Sequence, residues 1–246
     1  MDLPLSDGTR KKVVIGHPDN SGEMKAMHKF RYDNYLRHGY VSADALPDGL
    51  DIDEYDSGKK CVYFVAQVDD RIIGCVRLIL ADPLPTIKDC FDFKEPEIIK
   101  KIPAKKRGEV SRLIVEDYGG GKHFPRHIIM LSLMSVLVDY CLGRNIVGGY
   151  GFIKDKLKKK LEKIKIPLVF IKDFKQKYDL PLLKGYFNDP NDPAWPIYYL
   201  AADAKRYFEM IESIIFRKEN KTGEYFFLNF GFFKKIKLYL AINLFR

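Results

Sequence analysis

Apolar positions along the chain change period several times, and each change marks an element. After a short apolar run in "KKVVIG" (residues 11–16), Met24, Met27, Phe30 and Tyr35 recur at helical spacing. This predicts a helix over residues 21–38, with Ser21 as its cap and Glu23 in its first turn. "CVYFVAQVDDRIIGCVRLILAD" (61–82) holds two strand-like runs around Val68-Asp69-Asp70-Arg71, the signal of a tight hairpin. Residues 81–104, with several prolines, read as an excursion, and "KKRGEVSRLIV" (105–115) ends as a strand. Phe124 to Leu142 form an apolar helix whose Pro125 suits the first turn. "NIVGGYG" then predicts a strand, "KDKLKKKLEKIK" a helix and "IPLVFIKDF" a strand, with "WPIYYLAAD" another strand leading into a helix near residues 203–217. A helix, antiparallel strands and then alternating strands and helices predict an α/β sandwich on one mixed sheet.

The strand at 109–115 is odd for its charges. Glu109, Ser111 and Arg112 stand where a core strand carries Val or Ile, and an ionised group buried without a partner costs several kcal/mol or more. Regular pleating puts Glu109, Ser111, Leu113 and Val115 on one face and Val110, Arg112 and Ile114 on the other; a β-bulge would break that parity. Other charges also interrupt apolar surroundings: Arg31 in mid-helix, Arg77 inside "GCVRLIL", and Asp53 and Asp56 in "GLDIDEYDS". The strand alone fits a structural ion-pair network as well as a site, and these further charges shift the reading toward a set of arginines and acids near one sheet end that leaves a carboxylate poised for proton transfer.

Taken in order, "FRYDNYLRHGY", "GLDIDEYDS", "GCVRLI" and "GEVSRLIV" resemble the acyl-homoserine-lactone synthases and the N-acyl amino acid synthases of the GNAT acyltransferase superfamily. The resemblance implies a GNAT fold, a three-layer sandwich around a mixed, largely antiparallel sheet. It also implies that Glu109, Ser111 and Arg112 are catalytic, with Arg31, Tyr35, Asp53, Asp56 and Arg77 as the substrate-binding charge cluster. Glu109 is then the base that deprotonates an amine, with Arg77 and Arg112 tuning it and backbone N–H groups beyond Ser111 meeting the oxyanion. The lactone synthases typically carry a Phe and a Trp after the helix arginine; here Tyr35 and Tyr40 stand there, and the only tryptophan is Trp195. The resemblance therefore leans toward transfer to an amino acid or similar small amine, with a lactone synthase using S-adenosylmethionine and a non-catalytic acyl-carrier or lipid binder as alternatives.

The donor the resemblance implies is an acyl thioester on phosphopantetheine, carried by acyl carrier protein or coenzyme A, with no bound cofactor and no metal. "EDYGGGKHFPRH" replaces the usual pyrophosphate loop, and Gly120, Gly121, Lys122 and Arg126 are the candidates for holding a single phosphate; a plain flexible turn is the alternative.

Composition adds a few constraints. The chain has 246 residues and is 46% hydrophobic, which suits one large domain, or one domain with an appendage; the resemblance implies an acyltransferase domain over residues 1–217, followed by a basic, aromatic tail at 218–246. A net charge of +9 favours an acidic partner such as acyl carrier protein. Nucleic acid is not expected, because basic residues are interleaved with acidic ones and no binding motif appears. The lysines of residues 154–165 form either a solvated helix face or a carrier-protein dock. Cys61, Cys75, Cys90 and Cys141 show no ligand spacing and read as free thiols. Without an uncharged apolar run near the roughly 20 residues of a membrane span, the protein is expected in the cytoplasm. The tail then either packs on the domain or makes peripheral contact with the inner membrane face.

Overall fold

The computed structural model describes residues 1–58, 60–120, 122, 126–219 and 224–227. A hairpin of β1 (Asp2–Pro4) and β2 (Arg10–Lys12) is followed by β3 (Val14–Gly16), so "KKVVIG" is divided between two strands belonging to different sheets. Helix α1 spans Ser21–Arg37. Its N-cap is Asn20 rather than Ser21: the Asn20 side chain accepts from Glu23 N at 3.0 Å, while Glu23 reaches back to Asp19 N. That reciprocal pairing satisfies two backbone donors which Ser21, already inside the helix, leaves to others.

Strands β4 (Cys61–Val68) and β5 (Arg71–Ile79) form the expected hairpin, with Asp69 and Asp70 both at positive φ (48° and 61°), as a two-residue primed turn requires. The excursion contains β6 (Phe91–Phe93) and the short α2 (Glu97–Lys100). Then come β7 (Arg107–Val115), α3 (Arg126–Gly143), β8 (Gly148–Lys154), α4 (Asp155–Lys163), β9 (Leu168–Phe170), β10 (Phe174–Gln176), α5 (Lys184–Phe187), β11 (Ala194–Leu200) and α6 (Ala201–Ile215). β12 (Phe216–Glu219) and β13 (Glu224–Phe227) pair with each other, and β13 also pairs with β1. The first part of the tail thus joins a small sheet with the N-terminus, while 228–246 lie outside the described residues.

The main sheet runs β3-β4-β5-β7-β8-β11-β9, antiparallel except for the parallel β7–β8 pair. One face packs against α3 and α6 through Phe64, Ala66, Ile73, Val76 and Leu78. The other meets α1, where Met27 and Phe30 pack with Tyr63, Val65 and Cys75. This is the expected three-layer sandwich. Close approach of β7 and β8 depends on Gly149, since a Cβ there would lie 1.7 Å from the Gly108 carbonyl oxygen. The β7–β8 pairing runs only from Arg107↔Gly148 to Val110↔Gly151. Past Val110 the two strands part, and a cleft opens at the centre of the sheet.

Candidate active site

A β-bulge on β7 decides which side chains meet. Between Cys75↔Ile114 and Arg77↔Ser111, two residues of β7 stand opposite one of β5, and Arg112 takes φ 55°. The bulge breaks the alternation expected of a regular strand. Arg112 and Ile114 join Glu109 and Ser111 on the α1 side, whereas Leu113 and Val115 pack with Val110 against the α3 side.

On the α1 side lies a buried network of three arginines and three aspartates. Arg31 Nε donates to Asp51 Oδ2 (2.9 Å), and its Nη1 and Nη2 donate to Asp56 (3.1 and 3.2 Å). Arg77 donates to Asp53 with both terminal nitrogens (2.7 and 2.8 Å), to Asp56 Oδ1 (2.8 Å) and to Ser111 Oγ (3.0 Å). Arg112 holds Asp51 at 2.7 and 3.1 Å and Asp53 at 3.1 Å. Tyr63 donates its hydroxyl to Asp56 (2.6 Å). Formal charges cancel, and the arginines hold the Asp51 and Asp56 carboxyls well below the usual range despite burial, which opposes them. Arg31, Asp53, Asp56, Arg77, Ser111 and Arg112 are thus brought together as one unit. Asp51, fully buried and shared by Arg31 and Arg112, is the member the sequence reading passed over. Its signal was present in the alternating acids of "GLDIDEYDS".

Glu109 stands apart from this network. It is fully buried, and Oε2 accepts from the backbone N–H of Thr86 at 2.7 Å, while Oε1 has no partner of sound hydrogen-bond geometry. Burial pushes its carboxyl up to about 7, opposed by the hydrogen bonding of Thr86 and the charge of Arg77. Thr86, in a turn of the proline-containing excursion, carries no sequence signal for that role. Two cavities meet beside these groups. A cleft of about 780 Å³ follows the parting of β7 and β8, and a smaller one of about 270 Å³ holds Glu109, Arg77, Asp53 and Asp89. Ser111, Arg112, Phe152 and Leu183 line both.

Tyr35 lines the large cleft, its ring 5.3 Å from the Arg112 guanidinium carbon, and burial pushes its hydroxyl up to about 12. Tyr40 lies edge-on to Tyr35 (5.7 Å) and to Tyr186 (4.9 Å). Trp195, on β11, packs instead against Phe174 and Lys158. Of the expected phosphate-binding residues, Gly120 occupies a turn at φ 62°, and Lys122 is exposed and paired with Asp7 at 2.9 Å. Arg126 begins α3, and Gly121 lies outside the described residues. All four cysteines are free thiols, three of them buried. Among the described residues no side-chain group suits a metal, and no helix is long and apolar enough to cross a membrane.

A family model described as N-acyl amino acid synthase FeeM matches residues 26–147, the stretch that carries the charge network, Glu109 and the β7 bulge. Among curated proteins there is no significant match. Among solved structures, the acyl-homoserine-lactone synthase LasI superposes with a TM-score of 0.55 at 17% identity, over 78% of this chain and 91% of its own. MesI, a CoA-dependent acyl-homoserine lactone synthase, gives 0.55 at 15% identity, over 82% and 95%. BjaI, a CoA-dependent enzyme of the same kind solved with SAM and isopentyl-CoA, gives 0.52 at 14%, over 95% and 99%. Identities this low establish the fold, and the family model adds a similarity in sequence over residues 26–147. The chain is an acyltransferase with the fold of these synthases, and over residues 26–147 it is similar to the N-acyl amino acid synthases.

Proposed function

We propose that the protein moves a long-chain acyl group from the phosphopantetheine thioester of acyl carrier protein to the amino group of an amino acid or similar small amine. The observation that carries this reading is Glu109, a buried carboxyl with its pKa pushed up to about 7, lining the smaller cavity beside Ser111, Arg112 and Phe152, which line both. A base of that strength takes a proton from an ammonium acceptor near neutral pH, directly or through a water, and positioned bases contribute about 10² to 10⁴ in rate. The freed nitrogen adds to the thioester carbon, the tetrahedral intermediate collapses to an amide, and the departing thiolate receives a proton. Backbone groups of β7 beyond Val110 no longer pair with β8 and can meet the oxyanion. Ser111 Oγ accepts from Arg77, which fixes the strand at that point.

Two features support a long-chain donor. The large cleft has an apolar wall that includes Met130, Met134, Leu137, Leu157 and Phe208, in position for an acyl chain. Gly119 and Gly120, both at positive φ, form a turn near its rim that suits one phosphate, with Lys122 and Arg126 close in sequence. Acyl carrier protein is acidic and complements the +9 charge. A cytoplasmic location with peripheral contact at the inner membrane face, made through residues 218–246, fits a lipid product.

Mass spectrometry of reactions containing purified protein, long-chain acyl carrier protein and either pooled amino acids or S-adenosylmethionine tests the proposal. An acyl-amide of an amino acid is expected. An acyl-homoserine lactone would reassign the protein to the signal synthases, and bound carrier protein without product would make it a binder.

A further inference from the structure

Four cationic side chains of Lys or Arg are buried among the described residues: Arg31, Arg77, Arg112 and Lys154. Each arginine has carboxylate oxygens at 2.7–3.2 Å. Lys154 does not. It is 5% exposed, and its Nζ donates to the Tyr186 carbonyl at 2.6 Å. The ammonium lies 4.8 Å from the Tyr186 ring centre and 5.5 Å from that of Tyr40. Its closest carboxylate is Asp189 at 4.0 Å, on a side chain that is one-third exposed. Asp192, which lines the same cleft, is engaged by the backbone N–H of Lys156 at 2.8 Å. Burial lowers the Lys154 pKa, and Asp189 and Asp192 only partly offset that. An ammonium with one backbone bond and two aromatic neighbours keeps N–H groups for an anion.

Its position says which anion. Lys154 follows Phe152 by two residues on the same face of β8, and Phe152 lines both cavities at their junction. Two residues of strand span roughly 6.6 Å. An α-amino acid carries its carboxylate one carbon from its nitrogen, so a nitrogen at that junction directs the carboxylate toward the part of the cleft that Lys154 lines. The phosphate of the donor lies at the far end of the pantetheine arm and is a poorer match. The smaller cavity offers the acceptor's carboxylate no alternative, because its cations Arg77 and Arg112 are already held by Asp51, Asp53 and Asp56.

We propose that Lys154, framed by Tyr40 and Tyr186, binds the acceptor's carboxylate and so selects α-amino acids over amines that lack one. This rests on the acyltransfer reading above. The test is a competition in one vessel: wild type, Lys154→Met and Lys154→Arg each receive long-chain acyl carrier protein with an equimolar pool of amino acids and their decarboxylated amines. Because the product ratio is internal to each reaction, a smaller folded fraction does not alter it. Wild type is expected to favour acyl-amino acids, Lys154→Met to lower that ratio about tenfold or more, and Lys154→Arg to retain most of it, as expected for a charge-assisted hydrogen bond. The donor KM should stay within about threefold, since a tenfold change would correspond to a whole contact. An unchanged ratio in Lys154→Met, a wild-type preference for amines, or a change confined to the donor KM would overturn the assignment. No product from either pool would remove the acyltransfer reading, and this one with it.

Discussion

Arg112 grips Asp51 through two nitrogens, at 2.7 and 3.1 Å, from a backbone position with φ 55°. The two facts are linked. On a regular strand Arg112 points toward α3; the bulge that requires the left-handed conformation turns it toward α1, where Asp51 is buried between it and Arg31. One local irregularity thereby closes the charge network and lines the cavity junction.

Removing either partner should be costly. Asp51→Asn leaves Arg31 and Arg112 short of a counter-charge, and a loss of about 3–5 kcal/mol is expected. Urea denaturation of Asp51→Asn, Arg112→Ala and the double variant measures it, and the double variant should lose less than the sum of the singles.

Acid should destabilise the same network. Because the folded-state pKa values of Asp51 and Asp56 are lowered, their contribution is present above the unfolded carboxylate range and is lost as pH falls below it. Thermal melts between pH 7 and pH 3 should show Tm falling at the acid end, and falling less in Asp51→Asn. A parallel acid response in the two proteins would rule this origin out.

Glu109 has the opposite sign. Its pKa is raised from an ordinary 4.5 to about 7, so the folded state holds a proton the unfolded chain has released. That contribution is full below about pH 4.5 and is lost as pH climbs through about 7, a difference of roughly 2–4 kcal/mol. Glu109→Gln should flatten this slope while keeping the fold, and lower kcat by about 10² to 10⁴. Wild-type kcat/KM should rise with pH through about 7. Near wild-type turnover in Glu109→Gln would end its assignment as the base.

Gly149 sets how closely β7 and β8 approach. Gly149→Ala would place a methyl 1.7 Å from the Gly108 oxygen, against backbone that cannot rotate away. A loss of about 1–3 kcal/mol or more is expected, as for overpacking elsewhere. Activity should fall even where the protein stays folded, because the pairing that ends at Val110 sets the mouth of the cleft.

Lys156 and Lys160 line the large cleft from α4 and its first turn. If carrier protein docks there, Lys156→Glu with Lys160→Glu should raise KM for acyl carrier protein about tenfold, with a smaller effect on acyl-CoA. Steady-state kinetics with both donors at two salt concentrations decides it.

Hydropathy period alone determined most of the elements: α1, the β4–β5 hairpin, α3 and the later strand-helix alternation fall close to their expected bounds, because each must bury one apolar face. The charges within apolar stretches likewise singled out Arg31, Arg77, Glu109 and Arg112, since such groups are too costly to bury without partners. Their pairing was decided only in three dimensions. Period-two geometry places Arg112 away from Glu109, and no residue type in "EVSRLIV" marks the bulge that reverses it. Thr86 and Lys154 look like ordinary loop and strand-end residues. Thr86 gains its role because the excursion after β5 folds its backbone N–H onto Glu109, and Lys154 because β8 and α5 bury it beside Tyr186. Burial and the supply of counter-charges are properties of the assembled layers, so a chain read one residue after another does not contain them locally.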